Sequence, residues 1–314
     1  MWAYRGTFTR ERAFFSHLFS TAFPDVEVVW THDVRVFEDA AVRIVLESQF
    51  APKSAEDASA LVPPPVPYAV VTWNSEPQPK IPSMLVHQPD LELVVYQSDN
   101  SAQVWVPYML VDGGPHTRDV RRLDEAGVAA QAPALFYVHT NCVRHREDFV
   151  AQLVRAGVDV VAGGVCAGHG TARQLPEAPL PSDDGAPVAA AGAFRLWLAA
   201  ENVVGDDAPP GYLSEKLLNA FTAGTIPVFW GASTGARALF NPRAYVDVSD
   251  YPSVAAAVAD VHAIVHDTQR LAVMHAEPVF QPGAQALVSW DPAHGMVADV
   301  VESLRRLPRH HDAV

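Results

Sequence analysis

The sequence predicts an α/β fold divided into two domains, and three observations support this prediction. The chain has 314 residues, more than a single hydrophobic core usually holds, so two domains are expected. Apolar residues make up 49% and charged residues 18%, which is a globular rather than a disordered composition. Runs of β-forming residues alternate with segments of helical periodicity, as is typical of parallel sheets covered by helices.

In the first half, predicted strands follow one predicted helix. Residues 10–22 place apolar side chains at helical spacing and predict an amphipathic helix. Strands are predicted where β-forming residues cluster, at residues 26–30, 41–46, 68–73 and 91–96.

A polar, turn-rich stretch that begins at residue 111 predicts the passage into a second domain. We therefore expect one domain of residues 1–130 and another of residues 131–314. The second domain continues the alternation, with helices predicted at residues 146–156 and 212–223. Its strands are predicted at residues 135–138, 158–161, 194–199, 225–230 and 245–248.

The net charge is −14, from 36 acidic and 22 basic residues, and it disfavours nucleic acid as a partner. A local basic pocket for a nucleotide diphosphate is compatible with that total. No apolar run approaches the ~20 residues needed to span a bilayer, and the first residues show no signal-peptide pattern. We expect a soluble, cytoplasmic protein if this is the whole natural chain, and a Golgi-type membrane location if an anchor was removed.

The cysteines and histidines give little sign of a metal site. Cys142 and Cys166 are too few for a disulfide scaffold; one bridge or two free thiols fits, and we expect free buried thiols. The 13 histidines include His139, His145 and His169, whose spacing is not that of metal ligands.

Residues suited to binding an anion cluster at the predicted start of the helix of residues 212–223. Its first turn would hold Ser214, Glu215 and Lys216. Free backbone N–H groups at a helix start attract phosphate, and a lysine placed there against the helix dipole gains from an anionic ligand. Glu215 is suited to accept hydrogen bonds from ribose hydroxyls. The alternative is an ordinary helix start with a solvated charge pair.

The strongest resemblance to a known family lies in residues 194–251. The blocks are FRLWLAAEN (194–202), GYLSEK (211–216), GTIPVFWG (224–231) and FNPRAYVDVSDY (240–251). In this order they resemble the donor-binding signature of glycosyltransferase family 10, the α-1,3-fucosyltransferase family, which in outline contains F-E-N, Y-V/I-T-E-K and A-G-x-I/V-P. The chain departs from it at Ser214, where the family has threonine, and in a longer spacer at residues 203–210.

Weaker similarities extend the resemblance to residues 66–251. Thr140-Asn141-Cys142 stands where many members have S-N-C, and Arg146 stands where they place a phosphate-binding arginine. In the first domain, YQSDNS (96–101) and VPY (106–108) are similar to the family's Y-R-x-D-S-D and V-P-Y. WNSEP (73–77) is similar to W-x-x-E-S-P, although the serine between Glu76 and the proline is missing.

The resemblance implies an α/β fold of GT-B type, with two Rossmann-like domains facing a cleft. Residues 1–130 would bind the acceptor and residues 131–314 the donor, GDP-fucose. The reaction would be an inverting transfer of fucose to a hydroxyl of a glycan, and the acceptor that the family suggests contains N-acetylglucosamine. The resemblance implies no metal or other cofactor.

The same resemblance assigns roles to particular residues. Glu76 would be the general base that takes the proton of the acceptor hydroxyl. Apart from the resemblance, Glu47 and Asp99 would be the next carboxylates to test, because each lies near a predicted strand end of the same domain. Arg146 and Lys216 would neutralise the leaving diphosphate, the arginine as a fork and the lysine as a point charge. The donor-binding residues would be Arg146, Asn202, Tyr212, Glu215 and Lys216.

Each assignment has an alternative. Glu76 also fits a surface glutamate before a proline turn. Arg146 also fits a solvated arginine at a helix start, and Arg144 would be the phosphate ligand if the register differs by two residues. The acidic pairs at residues 183–184 and 206–207 are adjacent rather than spaced as D-x-D, which argues against a metal site.

Two other functions remain open from the sequence. One is transfer from another GDP-sugar, and the other is a catalytically silent module that binds a glycan or a nucleotide. Glu76 distinguishes an enzyme from a binding module, because a binding module needs Arg146 and Lys216 but has no use for a base. A generic nucleotide-binding regulator is disfavoured by the acceptor-side blocks.

Overall fold

The computed structural model describes residues 2–3, 9–29, 42, 44–48, 69–74, 91–94, 103–107, 109–110, 120–181, 185–205, 208, 211–293 and 295–307. The chain divides into two compact units, Met1–Thr117 with Ala286–Val314, and Arg118–Gln285. Each unit is built on a parallel sheet, so the predicted α/β class is confirmed.

Strands and short helices make up most of the described residues. In chain order they are β1 (Trp2–Ala3), α1 (Thr9–Ala22), β2 (Ile44–Ser48), β3 (Ala69–Asn74), β4 (Leu91–Val94), β5 (Gln103–Trp105), α2 (Glu125–Ala130), β6 (Ala132–Tyr137), α3 (Arg144–Arg155), β7 (Asp159–Ala162), β8 (Arg173–Gln174), α4 (Ala186–Ala191), β9 (Phe194–Ala200), α5 (Lys216–Ala223), β10 (Ile226–Trp230), α6 (Ser233–Leu239), β11 (Val246–Asp247), α7 (Val254–Ile264), α8 (Thr268–Ala276), α9 (Ala284–Leu287) and α10 (Gly295–Arg305).

The first unit holds a five-stranded sheet in the order β1-β2-β3-β4-β5, with every neighbouring pair parallel. Helix α1 buries Phe14, Phe15 and Leu18, which confirms its predicted amphipathic character. Trp290 packs on Phe14, with ring centroids 5.2 Å apart, and its indole Nε1 donates to Leu110 O at 2.7 Å. Residues 26–29 form no strand, so the strand predicted at residues 26–30 is wrong there.

The division between the units differs from the predicted one at residue 130. Helix α10 packs against α1, so the end of the chain returns to the first unit. One face of α10 is buried there, formed by Met296, Val297, Val300, Val301 and Leu304. At the other end, α2 packs against α8, which places residues 118–130 in the second unit. The predicted domains of residues 1–130 and 131–314 therefore need both limits corrected, because burial of an amphipathic face, rather than chain order, decides where a helix belongs.

The second unit holds a six-stranded, all-parallel sheet in the order β11-β10-β9-β6-β7-β8. Strand β9 is buried at all seven residues, as its mostly apolar sequence FRLWLAA predicts for a central strand covered on both faces. Leu135, Leu196 and Val228 from three adjacent strands are fully buried in the core on one side.

Among the described residues, no helix is both long enough and apolar enough to cross a membrane.

Candidate functional site

The order of the second sheet creates a switch point between β6 and β9. From β6 the chain proceeds to β7 and β8 on one side, whereas β9 leads to β10 and β11 on the other. The loops that follow these two neighbouring strands therefore diverge at the carboxyl edge. In open α/β sheets this crevice is where ligands bind. The residues after β6 and β9 are thus the first place to look for a site.

Arg146 ties the two diverging loops together. Its side chain lies in the first turn of α3 and has no exposure to solvent. Nη1 donates to Ala200 O and to Asn202 Oδ1, both at 3.0 Å, and Nη2 donates to Asn141 O. Nε has no partner among the described residues. The guanidinium therefore holds the end of β9 against the loop that follows β6.

The burial of Arg146 bears on two predictions. The alternative of a solvated arginine at a helix start is wrong for Arg146. Its predicted contact with a diphosphate stays a prediction. The charge lies at the carboxyl edge beside the switch point, but the side chain has no exposed atoms. Arg144 is the solvated one, with its side chain 92% exposed and an ion pair to Asp148 at 3.5 Å.

Glu201 is the centre of a second buried network, at the end of β9. Its side chain has no exposure, and its Oε1 accepts from Ser214 N at 2.8 Å. The Ser214 hydroxyl donates to both carboxylate oxygens at 2.8 Å. Lys216 Nζ donates to Glu201 Oε2 at 3.2 Å and to Ser214 Oγ at 2.9 Å. One carboxylate thus holds the whole turn that leads into α5.

This network changes the predicted helix start. Helix α5 begins at Lys216 rather than near residue 212, with Glu215 as its N-cap. Ser214 lies before the helix, and its N–H donates to Glu201, so this N–H is not available for phosphate. Anion binding at this helix terminus stays a prediction, and Lys216 is the first residue of the helix.

Lys216 is held as a cation with room for one more acceptor. Its side chain is 18% exposed, and within the described residues two of its three N–H groups donate to Glu201 and Ser214. Burial lowers the pKa of Lys216, but the carboxylates of Glu201 and Glu215 outweigh that effect and raise the pKa above its ordinary value. The Glu215 carboxylate lies 3.7 Å from Nζ and is 24% exposed.

The structure brings all five predicted donor-binding residues to this edge of the sheet. Arg146 and Tyr212 are buried, while Asn202, Glu215 and Lys216 are partly exposed. Glu201 was missed as a site residue, although it stands in the E-N block that carried the resemblance. A buried carboxylate needs donors close to it, and the sequence does not show that Ser214 and Lys216 supply them.

His139 lies close to both cations of the site. Its Nε2 is buried without a partner among the described residues, while the ring forms a hydrogen bond with the Leu198 backbone. Burial, followed by the charges of Arg146 and Lys216, holds the pKa of His139 well below its usual range. The imidazole is therefore neutral at neutral pH, and it adds no third positive charge.

The cysteines form a disulfide beside this site, so the expected free thiols are wrong. Cys142 follows β6 and Cys166 follows β7, with Cα atoms 5.2 Å apart. The two loops leave adjacent parallel strands at the same edge, which brings the residues within bonding range. Cys166 N also donates to His139 O at 3.1 Å.

Glu147 secures the same pair of loops. Its carboxylate accepts from the Tyr137 hydroxyl and from His169 N, the latter at 3.0 Å. Together with the two cysteines, Glu147 forms a group of potential metal ligands among the described residues, but both sulfur atoms are used in the disulfide. The acidic pairs at residues 183–184 and 206–207, Glu76 and Asp99 lie outside the described residues, as does the side chain of Glu47.

The part of the chain that holds this site is similar to known fucosyltransferases. Residues 130–275 match the family model described as glycosyltransferase family 10 (fucosyltransferase), C-terminal. The chain is 30% identical over 87 residues to the α-(1,3)-fucosyltransferase FucT of Helicobacter pylori. That match covers 27% of this chain and 17% of the relative's length.

Solved structures of α1,3-fucosyltransferase share the fold over nearly the whole chain. One matches with a TM-score of 0.63 at 15% identity, covering 92% of this chain and 84% of the other. A structure with GDP gives 0.63 at 14%, covering 95% and 87%, and one with GDP-fucose gives 0.61 at 15%, covering 93% and 86%. The predicted GT-B type of two Rossmann-like domains is thereby confirmed as the fold.

Proposed function

We propose that this protein transfers fucose from GDP-fucose to a hydroxyl of a glycan, because residues 130–275 match the C-terminal domain of family 10 glycosyltransferases. The observation that carries the proposal is Lys216, a cation at the switch point. Among the described residues its Nζ donates to Glu201 and Ser214 and lies 3.7 Å from Glu215, which leaves one N–H without a hydrogen bond there. A diphosphate oxygen is the acceptor that this N–H suits best, since the bond is charge-assisted on both sides.

The proposed donor site has one partly exposed positive charge, Lys216, and one buried positive charge, Arg146. Lys216 meets the diphosphate directly, and the buried charge of Arg146 lies behind it in a region where water screens little. Glu215, which is partly exposed beside Lys216, is placed to accept from ribose or sugar hydroxyls. Arg146 also holds the side chain of Asn202, which follows β9 and is partly exposed.

The proposed reaction is a single displacement. The acceptor oxygen forms a bond to the anomeric carbon of fucose while the bond from that carbon to the phosphate oxygen breaks, and the configuration inverts. The bonding electrons leave with GDP, whose added negative charge Lys216 and Arg146 stabilise. The proton of the acceptor hydroxyl passes to Glu76, the base proposed from the resemblance. No step in this scheme calls for a metal ion.

A nucleotide panel tests the donor assignment without knowledge of the acceptor. GDP and GDP-fucose should raise the melting temperature, and UDP and UDP-sugars should not. A donor at about 100 times its Kd stabilises by about 2.7 kcal/mol. EDTA should leave the shift unchanged, and a strict requirement for a divalent ion would refute the metal-independent scheme.

Variants connect the panel to the site. Lys216→Ala should reduce the shift given by GDP, because it removes a charge-assisted contact worth about 1.5–3 kcal/mol. Arg155→Ala is the matched control, since Arg155 is an exposed cation at the far end of α3. A shift that Lys216→Ala leaves intact would contradict the proposed phosphate contact. Binding without transfer to any glycan in an acceptor array would indicate the catalytically silent module.

A further inference from the structure

Glu201 is a fully buried carboxylate. Such a group is rarely buried unless it is paired with a cation or with hydrogen-bond donors. The Glu201 side chain has no exposure and accepts hydrogen bonds from one N–H, one hydroxyl and one ammonium group. Ser214 alone would satisfy much of the carboxylate, through its N–H and its hydroxyl. The additional approach of Lys216 Nζ, at 3.2 Å, makes Glu201 the counter-charge of the cation at the switch point.

The surroundings of Glu201 fix where its carboxylate points. The backbone N–H of Glu201 donates to Trp230 O at 2.8 Å, and its carbonyl accepts from His145 Nε2 at 3.0 Å. Gly231 leaves space for the side chain, because a Cβ at that position would lie 2.8 Å from Glu201 Cγ. The side chain is therefore confined between β10 and the turn at Ser214.

Lysine is rare in this chain, so the presence of Lys216 at this position is notable. The sequence has three lysines, Lys53, Lys80 and Lys216, among 22 basic residues, so Lys216 is the only lysine of the second unit. An ammonium group is a flexible point charge on a long stem, and its position must be imposed from outside. Glu201 and Ser214 impose it here by taking two of the three N–H groups.

We propose that Glu201 is a positioning residue of the donor site, which acts through Lys216 and does not touch the donor. It fixes the ammonium at one place and keeps it charged, while the Ser214 hydroxyl connects the two groups. This inference rests on the proposed function in so far as the ligand is a nucleoside diphosphate. The coupling between Glu201 and Lys216 does not depend on the proposed function, and it can be measured in the protein without ligand.

The first experiment measures the charge of Lys216 without any ligand. In a Lys53→Arg, Lys80→Arg background, Lys216 is the only lysine, so one NMR signal from ¹³Cε-labelled lysine reports its titration. Glu201→Gln keeps the shape of the side chain but removes its charge. We expect the pKa of Lys216 to fall, because the carboxylate that favours the charged ammonium is gone, so that acetylation at a fixed pH below that pKa becomes faster.

Glu147→Gln is the matched control for this titration. Glu147 is also a buried carboxylate of the second unit, but it contacts Tyr137 and His169 instead of Lys216. It should leave the Lys216 titration unchanged. An unchanged titration in Glu201→Gln, with GDP binding intact, would overturn the inference and spare the proposed function.

The second experiment is a double-mutant cycle on the Kd of GDP. Glu201→Gln should weaken GDP binding about tenfold when Lys216 is present, and not at all in a Lys216→Met background. A purely structural role for Glu201 predicts the same loss in both backgrounds and would refute positioning. Ser214→Ala, a smaller change, should give a loss of the same kind, and Ser214→Thr should restore binding because it keeps the hydroxyl.

The two experiments separate the inference from its premise. If the unmutated protein binds no GDP, the proposed function fails, and the titration still decides whether Glu201 controls Lys216. If GDP binds and the cycle shows no coupling, the inference fails and the proposed function stands.

Discussion

Replacing Arg146 by alanine gives the sharpest test of how this site is built. The family motif alone makes Arg146 a phosphate ligand, and loss of a ligand affects binding more than folding. The structure shows the guanidinium without any solvent exposure, donating to two backbone carbonyls and one side-chain amide. Burial of this kind predicts the opposite order, with a larger effect on folding than on binding.

The expected loss of stability follows from the groups that Arg146→Ala leaves behind. Two carbonyl oxygens, of Ala200 and Asn141, lose a charged donor, and each such bond contributes about 1.5–3 kcal/mol. Asn202 is partly exposed, so water can replace its bond. The gain from no longer burying a charge offsets some of the loss, while the cavity left by the side chain adds to it. We expect the free energy of unfolding to fall by about 3–5 kcal/mol.

Thermal unfolding measured with and without GDP separates folding from binding. For a domain of this size, about 3–5 kcal/mol corresponds to a melting temperature lower by roughly 10 °C. Arg144→Ala is the control, because Arg144 lies two residues away on the same helix with its side chain 92% exposed. It should leave the melting temperature within experimental error.

One result would refute this reasoning, and a second would leave it intact but move the phosphate contact. If Arg146→Ala unfolds like the unmutated protein but loses the GDP shift, Arg146 is an accessible ligand and its buried bonds contribute little. If Arg144→Ala abolishes the GDP shift while Arg146→Ala only lowers stability, the phosphate contact lies two residues earlier than the motif predicts.

Three further predictions concern other parts of the chain. Replacing Cys142 and Cys166 by serine should lower the free energy of unfolding by about 3 kcal/mol, because the bridge closes a separation of 24 residues; equal melting under reducing and non-reducing conditions would contradict it. Burial and the nearby Arg121 lower the pKa of His275 to about 4, so the folded state excludes a proton that the unfolded state binds below pH 6.5. Stability should therefore fall by about 3 kcal/mol between pH 6.5 and 4, and His275→Met should remove that component in denaturant titrations at both pH values. Glu76→Gln should lower the transfer rate by ~10²–10⁴-fold with the GDP shift unchanged, and transfer retained within a few-fold would mean that another carboxylate is the base.

Most of the local elements and the α/β class could be predicted from the sequence. The alternation of β-forming runs with helical spacing predicted the parallel α/β units, and the mostly apolar run at residues 194–199 predicted the strand that the structure shows fully buried as β9. The motif at residues 211–216 directed attention to Lys216, which the structure does place at the carboxyl edge. The predictions of strands and fold class were correct because neighbouring residues show the period of a strand or a helix.

Other features depended on which strands become neighbours. Arg146 reaches a carbonyl 54 residues away because β9 pairs with β6, and Cys142 reaches Cys166 because β6 pairs with β7. The returning helix α10 likewise belongs to the first unit by packing rather than by position in the chain. The burial of Arg146 and the role proposed for Glu201 were decided at this level. A buried charge is tolerated only where folding brings donors and acceptors to it, and those partners are set by the order of the sheet, not by the residues beside it in the sequence.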